Sequence, residues 1–340
     1  MNATLQCFCH IEKFINFFKY NTYIISLVKR STNNLTSSFK LLIEKLWPNK
    51  QKGEIKYKYY APVEFKNKIS KMNPLFEGKA ANDAKDLINF IIMTLHEELN
   101  KAKNNYNIEN NNILMDQRNQ KLVFNNFMKE FTSNNQSIIS DLFYAANCSI
   151  TECLNCHNKL YNYEIYFTIT FPLEEVRKFK IQFNNNQFNM INNEVNIYEC
   201  FEYDRKINIM SGSNSMYCNN CKLNCNGSIF TYLVTGPEIL ILLLDRGKGI
   251  KFNIKINFVE FLDLSNYIEY KNTGTKYKLI GVITHIGESS MSGHFIAYCR
   301  DPITEKWYKY NDTIVNKVNN FQNEVINFGN PNSLFYQKID

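Results

Sequence analysis

GVITHIGESSMSGHFIAYCRDPITEKWYKYNDTIV, residues 281–315, is the stretch from which the rest of the chain is best read. Phe295 to Arg300 alternates as a half-buried strand does, and Lys306 to Tyr310 reads as the returning strand. Asp301 to Glu305 makes the turn, centred on Pro302 and Ile303. A plain hairpin about that centre sets His294 opposite Asn311, with β-carbons about 5 Å apart. An amide oxygen accepting from one ring nitrogen fixes the imidazole tautomer and leaves the other nitrogen free to take a proton. His294 is therefore a candidate base, Asn311 its orienting partner, and Gly293 a point where a substrate backbone can approach. Alone, the window fits equally a histidine ending a strand and an asparagine in a turn.

The remainder of the chain bounds what this hairpin serves. Its 340 residues, 44% hydrophobic, are enough for one large or two ordinary domains with a sizeable core. The formal charge of +7, from 39 basic and 32 acidic residues, is spread along the sequence, which argues against a nucleic-acid-binding stripe. The longest apolar run, Ile239 to Leu244, suits a buried strand and is too short for a membrane span. His10, Glu12 and Lys13 interrupt the N-terminal apolar pattern, so a secretory signal is not expected and a cytosolic or nuclear location is. Asn is so abundant that Asn-x-Ser/Thr triplets, at Asn34 and Asn226 for instance, carry no weight.

Taken in order, Met1 to Tyr20 has the apolar spacing of one helix with a single buried face. Helical patches follow around Phe39 to Leu46, with a Lys/Tyr-rich segment near Ile55 to Tyr60. Asn82 to Asn100 is the clearest helix, capped by Asn82 or Asp83, with Leu87, Phe90, Ile91, Thr94, Leu95 and Leu99 inward and Glu97 and Glu98 wet. Lys101 to Asn112 is an Asn-rich insertion, and Ile113 to Lys129 fits helix or strand. After Ser137 the pattern turns to strands: Glu164 to Phe171, a pairing or packing segment at Tyr198 to Ile209, Ile229 to Thr235, and Ile239 to Leu244. Asn-rich residues 184–194 interrupt them, and the whole reads as a β-rich second half on a helical first half.

Ten cysteines in a reducing compartment call for something other than disulfides. Cys153 with Cys156, and Cys218 with Cys221, form two CxxC pairs, each a knuckle that aims two thiolates at one point. Together they offer a tetrahedral four-sulfur shell for a structural zinc ion, with no position left open for catalysis. His157 and Cys225 flank the pairs and are alternative ligands.

Several windows, in order along nearly the whole chain, resemble the ubiquitin-specific protease family of cysteine deubiquitinases. SGHFIAYCRD and WYKYNDTIV resemble its histidine and Asn/Asp boxes; ANDAKDLI, at 81–88, resembles its Gln-Gln-Asp-Ala helix start. The two CxxC pairs, the second within YCNNC, are similar to its fingers, GPEILILLLDR to a palm strand, and MNATLQCFCHI to the helix just after its nucleophile. The resemblance implies an α+β, papain-like right hand of helical thumb, zinc-bearing β fingers and mixed palm, in one catalytic domain, with approximate divisions at 1–145, 146–235 and 236–340. It implies His294 as general base, Asn311 as orienting residue, Asp312 as their polar support, and Asp83 as the acid that meets the basic ubiquitin tail. The expected partners are ubiquitin and ubiquitinated proteins, with the chain a monomer that binds neither nucleic acid nor membrane.

The departures bear on activity. The family's nucleophilic Cys lies two residues before the Met that aligns with Met1, and its oxyanion-stabilising Asn lies earlier still, so this chain is expected to be inactive as written. Cys7 and Cys9 fall at least a turn into the first helix and Cys299 reads as core, so none is expected to replace the nucleophile. Ala81 replaces the first Gln of the helix start, and Gly247 stands where Phe is frequent. A sequence missing its beginning and a ubiquitin-binding pseudo-enzyme both account for this; a zinc-bearing interaction scaffold is the reading from another class.

Overall fold

The computed structural model describes residues 1–20, 35–48, 59–78, 82–102, 120–183, 193–247, 253–289 and 292–340. Ala81, most of the Ile55 to Tyr60 segment and most of the Asn-rich stretches 101–112 and 184–194 lie outside them. Among the described residues no helix is long and apolar enough to cross a membrane.

An eight-stranded sheet forms the centre. Its strands run in the order Ile314–Lys317, Trp307–Asn311, Ser292–Arg300, Lys276–Ser289, Asn330–Lys338, Ile239–Asp245 and Ile169–Pro172, with Phe261–Asp263 also paired to Lys276–Ser289. Ile239–Asp245 lies inside it and shows why its sequence is uninterruptedly apolar. Ile239, Ile241 and Leu243 face a helical layer, while Leu240, Leu242 and Leu244 face a second core on the other side. Side chains alternate across a strand, so two covered faces require apolar residues at every position.

The helical layer comprises Asn2–Phe8, Glu12–Lys19, Leu35–Leu46, Val63–Met72 and Ala84–Leu99. The first twenty residues make two helices rather than the single one expected. Ile11 is extended, at φ −79° and ψ 110°. The break lets Asn2–Phe8 lie on the sheet, buried on nearly every side. At Gly281 an added β-carbon would sit 3.2 Å from Cys7 Sγ, so the missing side chain is what lets this helix come so close.

Ala84–Leu99 is capped by Asp83, whose side chain accepts from Lys85 N at 3.0 Å. Glu98 is not on the wet face: it accepts from Leu35 N and Thr36 N, both at 2.7 Å, and so caps the Leu35–Leu46 helix. Gln120–Asn134, which begins in the ambiguous Ile113 to Lys129 region and runs past it, is helical.

The second half is less purely β than its pattern predicts. Leu173–Phe183 and Ile197–Asp204 are helices that bury Leu173, Val176, Ile197 and Phe201 against the far face of the central sheet. Glu164 to Phe171 divides between two strands, Lys159–Tyr166 and Ile169–Pro172, and the second joins the central sheet in parallel with Ile239–Asp245. Lys159–Tyr166, Ala145–Cys153, Gly227–Leu233 and Asn208–Met210 form a separate four-stranded sheet, followed outward by the hairpin Met216–Cys218 and Leu223–Cys225.

Candidate active site and cysteine cluster

His294 and Asn311 meet, but not by the expected register. The ladder pairs Ala297 with Tyr310 and Arg300 with Trp307, which places Asn311 across from position 296, two residues along from His294 on the same face. The turn is the cause. Asp301 Oδ1 accepts from Ile303 N and Thr304 N, and Glu305 adopts a left-handed φ of 58°, so the loop is offset from its presumed centre. Diagonal neighbours lie about 7–8 Å apart at their α-carbons, within reach of an imidazole and an amide. His294 Nε2 and Asn311 Oδ1 are 2.7 Å apart. An amide oxygen can only accept, so Nε2 carries the hydrogen and Nδ1 is left as the basic nitrogen.

Asp312 follows in the two-residue turn to Ile314–Lys317, at a left-handed φ of 50° that such turns require. Its Oδ2 lies 3.6 Å from His294 Nε2, and its Oδ1 accepts from Asn2 Nδ2 at 2.7 Å. That bond ties the first helix to the hairpin. Both side chains are about half exposed, at 47% for His294 and 51% for Asp312.

Gly293 has a use within the chain. A β-carbon there would collide with the ring of the buried His285, so it is the His285 imidazole that makes the close approach at this glycine. Asp83, beyond capping its helix, lies 3.5 Å from Lys85 Nζ, which is also 3.6 Å from Asp245. It lines a cavity of about 100 Å³ together with Thr4, Lys66, Asn82 and Phe295, the residue after His294. A larger cavity, about 320 Å³, is lined by Asn2, Gln6, Tyr310 and Asp312.

His10 is a site residue that the sequence does not single out. It is buried, accepts from Tyr310 Oη at Nε2 (2.8 Å) and donates from Nδ1 to Gln6 O (2.7 Å). Burial lowers its pKa to about 4, so it stays neutral. Tyr310 precedes Asn311, so His10 fixes the strand that carries the orienting amide. Only a contact across 300 positions reveals this.

The four CxxC sulfurs come within 4.8 Å of one another. Cys153 and Cys221 Sγ are 4.0 Å apart, and Cys156 and Cys218 Sγ 3.6 Å. Each knuckle closes alike: His157 N donates to Cys153 O and Lys222 N to Cys218 O, both at 2.8 Å, with His157 and Lys222 left-handed at φ 58° and 59°. The Asn220 side chain leads in drawing Cys156 down to about 6, and Cys153 is lowered too, first by the Cys156 backbone. Such groups are ready to be thiolates. His157 turns away to Glu152, 3.0 Å from Nδ1, and is not part of the cluster.

With hairpin, helix and knuckles in place, comparison with known proteins gives them a common setting. The family described as ubiquitin carboxyl-terminal hydrolase matches residues 1–336. The chain belongs to that family. It is 22% identical to ubiquitin carboxyl-terminal hydrolase Usp2 of Drosophila melanogaster, over 93% of this chain and 31% of the relative. To ubiquitin carboxyl-terminal hydrolase 2 of Bos taurus it is 25% identical, over 95% of this chain and 51% of the relative. The chain thus spans about half the length of these relatives, or less. Its fold resembles a chain of the SAGA DUB module of Ubp8, Sgf11, Sus1 and Sgf73 bound to monoubiquitin, with a TM-score of 0.73 at 18% identity, over 100% of this chain and 66% of that one.

The mixed helix and sheet architecture expected from the family resemblance is therefore the fold observed. The sulfur spacing also suits a metal ion. A tetrahedral zinc ion with Zn–S bonds near 2.3 Å needs sulfurs about 3.8 Å apart, which lies between the two separations above. If bound there, zinc would join the two knuckles without an open coordination position. The cysteines in and just after the first helix, and in the strand bearing His294, are of another kind. Cys7, Cys9 and Cys299 are at most 2% exposed, Cys7 and Cys299 touch at 3.9 Å, and burial raises Cys9 and Cys299 well above the usual thiol range.

Proposed function

We propose that residues 1–340 are the ubiquitin-gripping body of a thiol-dependent deubiquitinase, with the base and its orienter assembled. The observation that carries this reading is the 2.7 Å contact between His294 Nε2 and Asn311 Oδ1, which leaves Nδ1 free. In the reaction, Nδ1 takes the proton of a thiol, and the thiolate attacks the carbonyl of the bond after the ubiquitin tail. The resulting imidazolium gives its proton to the departing amine, and water then releases the acyl group. Asn311 holds the ring through these transfers, and Asp312, tied to Asn2, is the polar support beside it. Asp83 meets the basic tail beside the cavity it lines with Phe295, and Gly293 lies beside that path.

On this reading the thumb is 1–145, the fingers centre on the four-stranded sheet within 146–235, and the palm is 236–340 joined by the elements between Ile169 and Asp204. Cys153, Cys156, Cys218 and Cys221 hold a structural zinc ion. Ten cysteines without a disulfide, four of them in such a centre, suit the cytosol or nucleus. We expect the chain to be monomeric alone; the SAGA structures that share its fold contain further subunits, so light scattering is the appropriate check.

Burial of Cys7, Cys9 and Cys299 favours a second statement: residues 1–340 alone bind ubiquitin without cutting it. Hydrolysis of a fluorogenic ubiquitin ester or amide by residues 1–340 should stay at background. Extending the chain so that a cysteine stands two residues before Met1 should raise it at least a thousandfold, since removing the nucleophile of a triad protease costs about a million-fold. Turnover by the unextended chain, abolished by Cys7→Ser or Cys9→Ser, would overturn this reading.

A further inference from the structure

A fifth sulfur lies against the four-thiol cluster. Cys225 is 6% exposed and belongs to the buried group of Cys153 and Cys218, against which Cys156, Cys221 and Met216 pack. It ends the strand Leu223–Cys225, whose register with Met216–Cys218 pairs it with Met216 and puts it diagonal to Cys218. Its own sulfur donates to Leu223 O at 3.7 Å. Cys153 and Cys221 Sγ are 4.0 Å apart, and Cys225 packs in the same buried group without being one of the four sulfurs that lie within 4.8 Å of one another.

The two neighbours differ in how firmly they are held. Cys153 ends a strand paired to Gly227, donates its N–H to Asn158 O and accepts from His157 N, so its backbone is fixed on every side. Cys221 sits in the connection between the two short strands, is partly exposed, and has its sulfur steadied by Asn155 Nδ2 at 3.3 Å. Cys221 and Cys225 also share one hairpin, so a small shift of that hairpin moves both.

We propose that Cys225 is a reserve ligand, able to replace Cys221 on a metal ion held by Cys153, Cys156 and Cys218. The inference rests on the zinc reading above. The step is a thiolate exchange without oxidation: a bond from metal to Cys225 sulfur forms, the bond to Cys221 breaks, and the proton of Cys225 passes to the departing Cys221. Four thiolates hold the ion throughout. The more exposed ligand can then be alkylated or otherwise modified without loss of the metal.

Cobalt(II) titration of the full chain tests this, read by the sulfur-to-cobalt charge-transfer band and by affinity. Wild type, Cys221→Ser and Cys225→Ser should each bind one ion with the four-thiolate band. The double variant should show the weaker three-thiolate band and lose affinity by at least the roughly tenfold that loss of an outer partner costs. Cys156→Ser, at a ligand whose nearest sulfur is Cys218, should not be rescued. A Cys221→Ser chain as weak as the double variant overturns the reserve ligand, whereas a wild type that takes up no cobalt overturns the zinc reading itself. Should Cys221→Ser fail to fold, mass-mapped alkylation of metal-loaded protein decides. Wild type is expected to keep its ion after Cys221 is alkylated and Cys225→Ser to release it; release from both at the same extent of alkylation overturns the proposal.

Discussion

His294 has one ring nitrogen for Asn311 and one for a proton, and the functional account depends on that division. In a chain supplied with the cysteine, Asn311→Ala should lower kcat on the order of a hundredfold or more with little change in KM, because it frees the tautomer and leaves substrate binding alone. Equal changes in both constants would point to a tail contact instead. The pair was legible in sequence because turn residues and alternation are local signals; its diagonal register was not, because the Asp301 and Glu305 turn is set by backbone torsions that letters leave open. His10 was not legible at all. Its folded pKa of about 4 lies below the ordinary 6.5, so the unfolded chain binds the extra proton between these values. Stability from this group is therefore complete above about pH 6.5 and lost as pH falls toward 4, by about 3 kcal/mol. Denaturant titrations from pH 7 to 4 should show a smaller loss for His10→Gln than for wild type, and parallel curves would contradict the assignment.

Among the elements, the knuckles were readable because four thiols at CxxC spacing specify local turns. Helix ends were less so: Asp83 is a cap visible in sequence, whereas Glu98 caps a helix 62 and 63 positions earlier. Its Oε2 also accepts from Thr36 Oγ1 at 2.5 Å. Glu98→Ala should thus cost about 2 kcal/mol, the upper end for a lost cap, and Glu98→Gln less. Chemical denaturation would measure it, and a change under about 0.5 kcal/mol would mean that water replaces the carboxylate. The helices at Leu173–Phe183 and Ile197–Asp204 escaped the sequence reading because each is short and followed or preceded by Asn-rich sequence. Their helical state is settled by the apolar sheet face they cover.

For the whole molecule, the central sheet buries both faces, and only the run at Ile239 to Leu244 announced this in sequence. The helical layer brings Asn2 to Asp312 on one side of the hairpin, and Asp83 and Phe295 share a cavity on the other. On the proposed reading, a base, its orienter and an acid for the tail are thereby set around one approach path. No local pattern contains that arrangement; the order of the motifs along the chain does.

In the proposed function, this path receives ubiquitin. The most direct test is calorimetric titration of metal-loaded residues 1–340 with ubiquitin, with ubiquitin lacking its C-terminal tail, and with the Asp83→Lys variant. One-to-one binding at roughly ten micromolar or tighter is expected, weakened about tenfold or more by removing the tail or reversing Asp83. A folded, metal-loaded chain that shows no binding at high micromolar concentration would contradict the claim and leave a zinc-bearing scaffold in its place.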